Sequence, residues 1–443
     1  MNRDDRIGPA DIDLSVHPET ARLDADGRLL VGGCAVADIV AEHGSPAYIV
    51  DEEALRRTVR RYVSAFRDRH PRSHVLFAAK SFPAASVIGI TADEGCGTDA
   101  VAGGELRLAL AAGADPARAV LNGNAKTDDD ILVALRAGDG RGVRYIVIDN
   151  LDDVERIARL AAELDRDPVP VLLRVSPSLQ AHTHEALATG HDASKFGIPS
   201  AQVEDAIRAI RAERLVDLRG LHAHVGSQLL DLDQFDAEAA ALAEFERFGV
   251  YDLGGGLGVR YVPGDEAPTI EEYAERIVRA VHRHLGDDVE LLVEPGRSMI
   301  ARNVVTAYRV VTVKRGMRTH VAVDGGMGDN LEVALYGQPF APAVIDRSGP
   351  AEIVDIVGKH CESGDYLARD VRVPRPEVGD LVVIPVTGAY CYTMSNNFNT
   401  NLRPPVLLAR DGRTRVAVRR ETFEDLVRRE QIVSQEALLG VSA

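Results

Sequence analysis

The chain has 443 residues, 45% of them hydrophobic and 27% charged, which is long enough for two domains or for one barrel with an appended module. A formal net charge of -17 excludes a nucleic-acid footprint and a polybasic membrane patch. Four cysteines, Cys34, Cys96, Cys361 and Cys391, form no CxxC pair, so neither a zinc site nor a disulfide framework is suggested and a reducing cytoplasm fits.

The N-terminal stretch MNRDDRIGPADIDLS is polar and acidic, without the apolar centre of a signal peptide, and no later run reaches the length of a membrane span. The expectation is a soluble cytoplasmic protein. Residues 1–45, with the run GRLLVGG, read as a strand segment that joins a β domain further along. Over residues 46–300, short β-branched runs alternate with alanine-rich stretches such as GGELRLALAAGA, LDDVERIARLAAEL, SAQVEDAIRAIRAE and TIEEYAERIVRAVHRHL, whose apolar residues recur every three or four positions.

Candidate strands end near Lys80, Asp99, Asn122, Asp149, Arg174, His224, Gly254 and Glu294. Eight alternating units predict an α/β fold, a (β/α)8 barrel, with chemistry at the C-terminal ends of the strands. Residues 301–443 carry short β-like runs separated by Gly, Pro and charged turns, the pattern of an all-β domain.

Several motifs sit at the predicted strand ends, each with a plain and a chemical reading. The run HVLFAAKSFP stops on Lys80, although the chain's other lysines are only Lys126, Lys195, Lys314 and Lys359. Lys80 either caps a strand and reaches back to water or is a Schiff-base lysine, an amine that loses its proton at an apolar strand end. AHTHE, residues 181–185, pairs two histidines, but not at HExxH spacing and with no third ligand pattern; a loop across the barrel mouth is expected there, and no metal.

HVGSQ carries His224 and Ser227, either a core histidine and a turn serine or a ring stacked on an aromatic cofactor beside a phosphate-binding hydroxyl. LGGGLGV, with Gly254 to Gly258, is a tight turn or a phosphate-holding loop; Val259 replaces the third glycine that a dinucleotide fingerprint needs. EPGRS places Glu294 and Arg297 across a Pro-Gly turn, as a surface ion pair or as a carboxylate facing a pyridine nitrogen. CESGD, starting at Cys361, is a buried thiol's neighbourhood or a proton donor beside a group that recognises an ammonium.

Together with FAAKSF, DAVAGGEL, GNAKT, AHTHEALATGHDASKFG, DGGMGDN, ALYG, GKHCESGD and TGAYCYTMSNNFN, these segments resemble the pyridoxal-phosphate decarboxylases with an alanine-racemase-like barrel, and among them the diaminopimelate decarboxylases, over nearly the whole chain. The resemblance implies pyridoxal phosphate as cofactor and decarboxylation of a small amino acid, meso-diaminopimelate to L-lysine and CO2 in lysine biosynthesis, by a homodimer with shared active sites. It implies that Lys80 holds the cofactor covalently, that His224 stacks on the ring, that Glu294 pairs with the pyridine nitrogen and that Asp99 sits near both ring and lysine. Ser227, Gly255, Gly256, Gly296, Arg297 and Tyr390 would hold the phosphate.

Cys361 and Glu362 would come from the second subunit, as acid and as contact for the distal ammonium, and Arg297, Glu332, Tyr336 and Tyr390 would line the substrate's end. One departure stands out: the family usually reads IRPALYG where this chain reads LEVALYG, so Glu332 takes the place of an arginine. Either the substrate carries an amine, an amide or a carrier-linked acyl group in place of a distal carboxylate, or Glu332 turns outward and Arg297 suffices. Two rivals share the fold, an amino-acid racemase and a non-catalytic cofactor-binding homologue. Cys361 and Glu362 argue against the first, and the set Lys80, His224, Glu294 and Cys361 against the second.

Overall fold

The computed structural model describes residues 6–177 and 194–431. Eight parallel strands, Ser73–Ala78, Gly97–Ala100, Ala119–Leu121, Tyr145–Ile148, Val169–Ser176, Val216–His222, Val250–Asp252 and Glu290–Val293, pair in chain order. The last pairs with the first through Leu291 to Ser73 and Val293 to Val75, so the sheet closes into the expected barrel. These runs are buried on both faces, which is why they read as continuous apolar stretches rather than as alternating ones.

Helices cover the outside, and each turns one apolar stripe inward. Ile270–His284 buries Ile270, Tyr273, Ala274, Ile277, Val278 and Val281 at three- and four-residue spacing. It starts at a reciprocal cap, in which Thr269 N–H donates to Glu272 Oε2 at 2.8 Å and Glu272 N–H donates to Thr269 Oγ1 at 3.2 Å.

Inside the barrel, Leu76, Val120, Tyr145, Val147, Leu172, Val250 and Leu292 form one apolar cluster. Side chains two apart on a strand share a face, so the next inward positions are Asn122, Asp149, Arg174, Asp252 and Glu294, joined by His222 from the sixth strand, all buried. An apolar floor under a polar upper layer follows directly from this alternation, and the polar layer lies at the strands' C-terminal ends.

The second domain is built on the long strand Val304–Arg315, which pairs antiparallel with Thr319–Val323 and Leu381–Ile384. Gly349–Val357 and Tyr366–Pro374 pair antiparallel beside it. Ala47–Asp51, within the stretch read as barrel, instead pairs antiparallel with Val304–Ala307 and parallel with Val406–Ala409. It is buried from end to end, and burial alone does not say which sheet a strand joins. The barrel begins one helix later, at Ser73.

At the N-terminus, Arg6–Ile7 pairs with Gly349 and Pro350, whereas Arg22–Leu23, Leu29–Val31 and Cys34–Ala35 form their own three-stranded sheet. Leu29 and Val31 of that sheet pack on Ile49, Val305, Val383 and Leu407. Among the described residues no helix is long and apolar enough to cross a membrane.

Candidate active site

Lys80, His224, Ser227, Glu294, Arg297, Glu332, Tyr336 and Tyr390 line one cavity of about 430 Å³ at the barrel mouth. Asn122, Asn124, Arg174, Phe196 and His222, which were not among the expected site residues, also line it, with Val101, Gly123 and Ala125. A signal for Asn122, Arg174 and His222 was present, since each stands two residues beyond an inward-facing strand position.

Lys80 leaves the first strand in a single 3-10 turn, Ala79–Ser81, which is pinned from the second domain: Thr393 Oγ1 donates to the Lys80 carbonyl at 2.9 Å and Tyr390 N–H to the Ser81 carbonyl at 2.9 Å. Tyr390 adopts φ 65°, a left-handed conformation that costs an aromatic residue free energy and persists only where its surroundings hold it. Burial acts to release the Lys80 proton, as the sequence suggests. The charges of Asp99, Tyr390 and Glu294 reverse that sign and raise its pKa.

Asp99 is the counterpart: burial, then the Glu294 charge, push it from its ordinary 3.8 to about 7, against the pull of Lys80 and of an N–H from Asn122 Nδ2 at 2.7 Å. The linkage sign is set by the raised folded-state value. The native state binds this proton more tightly than the unfolded chain, so the stability contributed is full below pH 3.8 and is lost as pH rises through about 7. Asp99→Asn is expected to flatten the Tm profile over that interval; equal slopes in both proteins would contradict the assignment.

Glu294 is fully enclosed and takes an N–H from Asn122 Nδ2 at 2.7 Å, with His222 Nε2 at 3.4 Å. Burial works against its ionisation, but the hydrogen-bonded His222 and the Lys80 charge outweigh it and hold the carboxyl well below the usual range. Burial and the Glu294 charge drive Asp252 the other way, well above the carboxylate range, and it is hydrogen-bonded to Glu294. His222, Asp252 and Glu294 bring their ligand atoms within 4.8 Å of one another, a spacing a cation would accept. Burial favours a proton on Asp252 over a second negative charge beside Glu294 at that spacing. Glu294 and Arg297 are both buried, and Arg297 pairs elsewhere, which rules out the surface ion pair.

His224 is stripped of charge by burial and by the Lys80 and Arg174 cations, so its ring is neutral, and Nδ1 accepts the Gly255 N–H at 3.1 Å. The glycines of this loop are required by close approach. A Cβ on Gly254, at φ +55°, would lie 2.6 Å from His224 Nδ1, and one on Gly255 would lie 2.2 Å from the Glu294 carbonyl oxygen. Gly296 is similarly crowded against Ala78 and Ser81, and Gly256 against the Gly226 carbonyl. Gly255, Gly256 and Gly296, like Asp99, pack behind the cavity's lining residues and not among them.

Arg297 lies over the Tyr390 ring at 4.8 Å and donates to Ser227 Oγ at 3.3 Å, to the Tyr261 hydroxyl, and to Glu332 Oε2 at 2.9 Å. Tyr261 O–H donates to the same Glu332 oxygen at 3.3 Å. Glu332 is 1% exposed. The outward rotation considered above does not occur.

Cys361 and Glu362 do not line the cavity. Both are exposed; Cys361 N–H donates to Asn399 Oδ1 at 2.7 Å, and Glu362 Oε1 accepts from Ser363 Oγ at 3.2 Å. AHTHE and the loop expected there lie outside the described residues.

The family model for pyridoxal-dependent decarboxylase, pyridoxal binding domain, matches residues 56–301. A diaminopimelate decarboxylase of Actinosynnema pretiosum subsp. auranticum is 40% identical over 436 residues, covering 96% of this chain and 97% of its own. One from Bacillus subtilis is 36% identical over 430 residues, covering 92% and 96%. The crystal structure of diaminopimelate decarboxylase from M. jannaschii in co-complex with L-lysine superposes with a TM-score of 0.86 at 29% identity, covering 94% of this chain and 98% of that one. The Helicobacter pylori enzyme complexed with L-lysine gives 0.82 at 29% identity, covering 89% and 98%.

Proposed function

The chain belongs to the pyridoxal-dependent decarboxylases, and on that premise we propose that it releases as CO2 the α-carboxylate of a linear amino acid of the diaminopimelate or lysine type, whose far end reaches Arg297, Glu332 and Tyr336. The observation that carries this reading is the half-buried Lys80 amine sharing one cavity with Glu294 and His224, in the field of the buried Asp99 behind it.

The donor set fits pyridoxal phosphate. Lys80 offers the amine, Glu294 an anion for the ring nitrogen, His224 a neutral flat wall, and Ser227 and Tyr390, beside the close-packed glycine loop, polar groups for the phosphate. When bound, the cofactor supplies a protonated ring that withdraws the electron pair left at Cα. Asn122 and His222 hold Glu294 in place, and Asp252 keeps a proton beside it. Asp99 stabilises the charged Lys80 amine of the free enzyme.

Cys361 and Glu362, exposed on the single chain, are assigned to the cavity of a second copy. There the thiol returns a proton to Cα and the carboxylate receives the substrate's far ammonium. Lys80→Ala and Cys361→Ala proteins, each inactive alone, should regain about a quarter of wild-type activity after mixing, because half of the dimers are hybrids with one intact site. No recovery would place both residues in one chain's site. CO2 release from meso-diaminopimelate or from the linear diamino acids tests the reaction itself, and inversion at Cα without CO2 would make the protein a racemase.

A further inference from the structure

A second cavity, of about 320 Å³, begins one residue from the barrel mouth. Arg297 and Ser298 are neighbours on one short helix, the first lining the mouth and the second lining this cavity. Three guanidinium groups, those of Arg61, Arg260 and Arg302, line it against a single carboxylate, Glu19, which is half-exposed and reaches Arg57 only at 4.0 Å. In a chain of net charge -17 this is a local excess of positive charge.

The guanidinium groups are only partly committed. Arg61 places Nε and Nη2 on Glu271, at 3.0 and 2.8 Å, and keeps Nη1. Arg302 places Nε on the His17 carbonyl at 2.6 Å and keeps both Nη groups. Arg260 makes no hydrogen bond or ion pair among the described residues. All three side chains are exposed, so their remaining N–H groups can be reached from solvent. Burial destabilises the Arg302 charge, and the Arg260 and Arg61 charges add to that; only Glu19 acts in the other direction. An anion between them would relieve the repulsion.

Most of the wall is fixed in advance. Two bonds hold the Arg61 fork and one holds Arg302. Residues 257–260 are tied by an exchange with Gln228: Val259 N–H donates to Gln228 Oε1 at 3.1 Å, and Gln228 Nε2 donates to the Val259 carbonyl at 2.7 Å. Ser298 Oγ lies 2.5 Å from the Tyr62 hydroxyl, and when Tyr62 donates, the Ser298 proton is available to the cavity. The nearby helix start adds little, because Thr269 is used in its own cap. Donors held before binding lose less freedom when a ligand arrives.

A guanidinium fork matches phosphate and carboxylate oxygens alike. Forks on three separate elements favour the tetrahedral, nearly dianionic phosphate, which offers three strong acceptor oxygens, over a planar monoanion. The volume, at the low end of the ligand-sized range, leaves room for a small organic group as well. We propose that this cavity is a second binding site, for a phosphate group, free or as the monoester of a small metabolite, held by Arg61, Arg260 and Arg302. None of the three lines the barrel mouth, so the site is separate from the seat of the cofactor's phosphate and independent of the decarboxylase reading.

The test is calorimetric titration of the full-length protein, saturated with pyridoxal phosphate so that the mouth is filled, at constant ionic strength. Glycerol 3-phosphate, inorganic phosphate and succinate are the probes. A phosphate probe should bind saturably, at one equivalent per chain, and more tightly than succinate. Whichever phosphate binds the better identifies the source, ester or free ion. Arg260→Gln breaks no described contact and should weaken that binding by about tenfold, the scale of one charge-assisted hydrogen bond. Arg260→Lys should lose less, since it keeps the charge.

No saturable binding of either phosphate, binding no tighter than that of succinate, or an affinity unchanged in Arg260→Gln overturns the proposal. A protein that fails to take up pyridoxal phosphate overturns the decarboxylase reading alone, and the Arg260→Gln comparison still decides this site.

Discussion

Lys80→Ala is expected to lower kcat by at least about a thousandfold, in the range seen when a covalent catalytic group is removed, and to abolish the visible absorbance of the bound cofactor. No neighbour replaces the amine. Lys126, the one deeply buried lysine among the described residues, is held by Asp153 at 2.8 Å and does not line the cavity. Asp99 also loses the cation that draws its pKa down, so it should titrate above its present value of about 7. Retained absorbance together with a kcat within about tenfold of wild type would remove Lys80 from the chemistry.

Glu294→Gln should lower kcat by about a hundredfold, the scale of losing one preorganised electrostatic contact, with a smaller change in KM. Glutamine fills the same volume and still hydrogen-bonds to Asn122, but it carries no charge to keep a proton on a ring nitrogen. A second readout separates this from simple disruption. The Glu294 charge is one of the causes that raise Asp99 to about 7, so in the variant Asp99 should titrate lower. Unchanged kcat, or a fall in kcat with no movement of Asp99, would argue against the assigned role.

Much of the fold is legible in the sequence. The eight strand ends, from Lys80 to Glu294, fell where barrel strands stop because each βα unit carries its own apolar run, amphipathic stripe and turn residues. Several site residues followed from the same register. Asn122, Arg174 and His222 occupy inward positions that period-two alternation specifies, and they were missed because isolated polar residues at strand ends carry no motif of their own.

Other features were decided only by residues distant in the chain. Lys80 looked like an amine that burial would neutralise, yet carboxylates contributed by other strands reverse the shift. Ala47–Asp51 joined the antiparallel sheet through partners beyond residue 300. Glu332 turned inward because Arg297 and Tyr261 were there to receive it.

The sequence by itself determined the alternation, the barrel that alternation closes, and which residue types stand at its mouth, since these depend on spacing between near neighbours along the chain. The tertiary structure alone decided which charges meet. Ion pairing in a buried site depends on distances between separate elements and on how much water they exclude, and no local pattern encodes either.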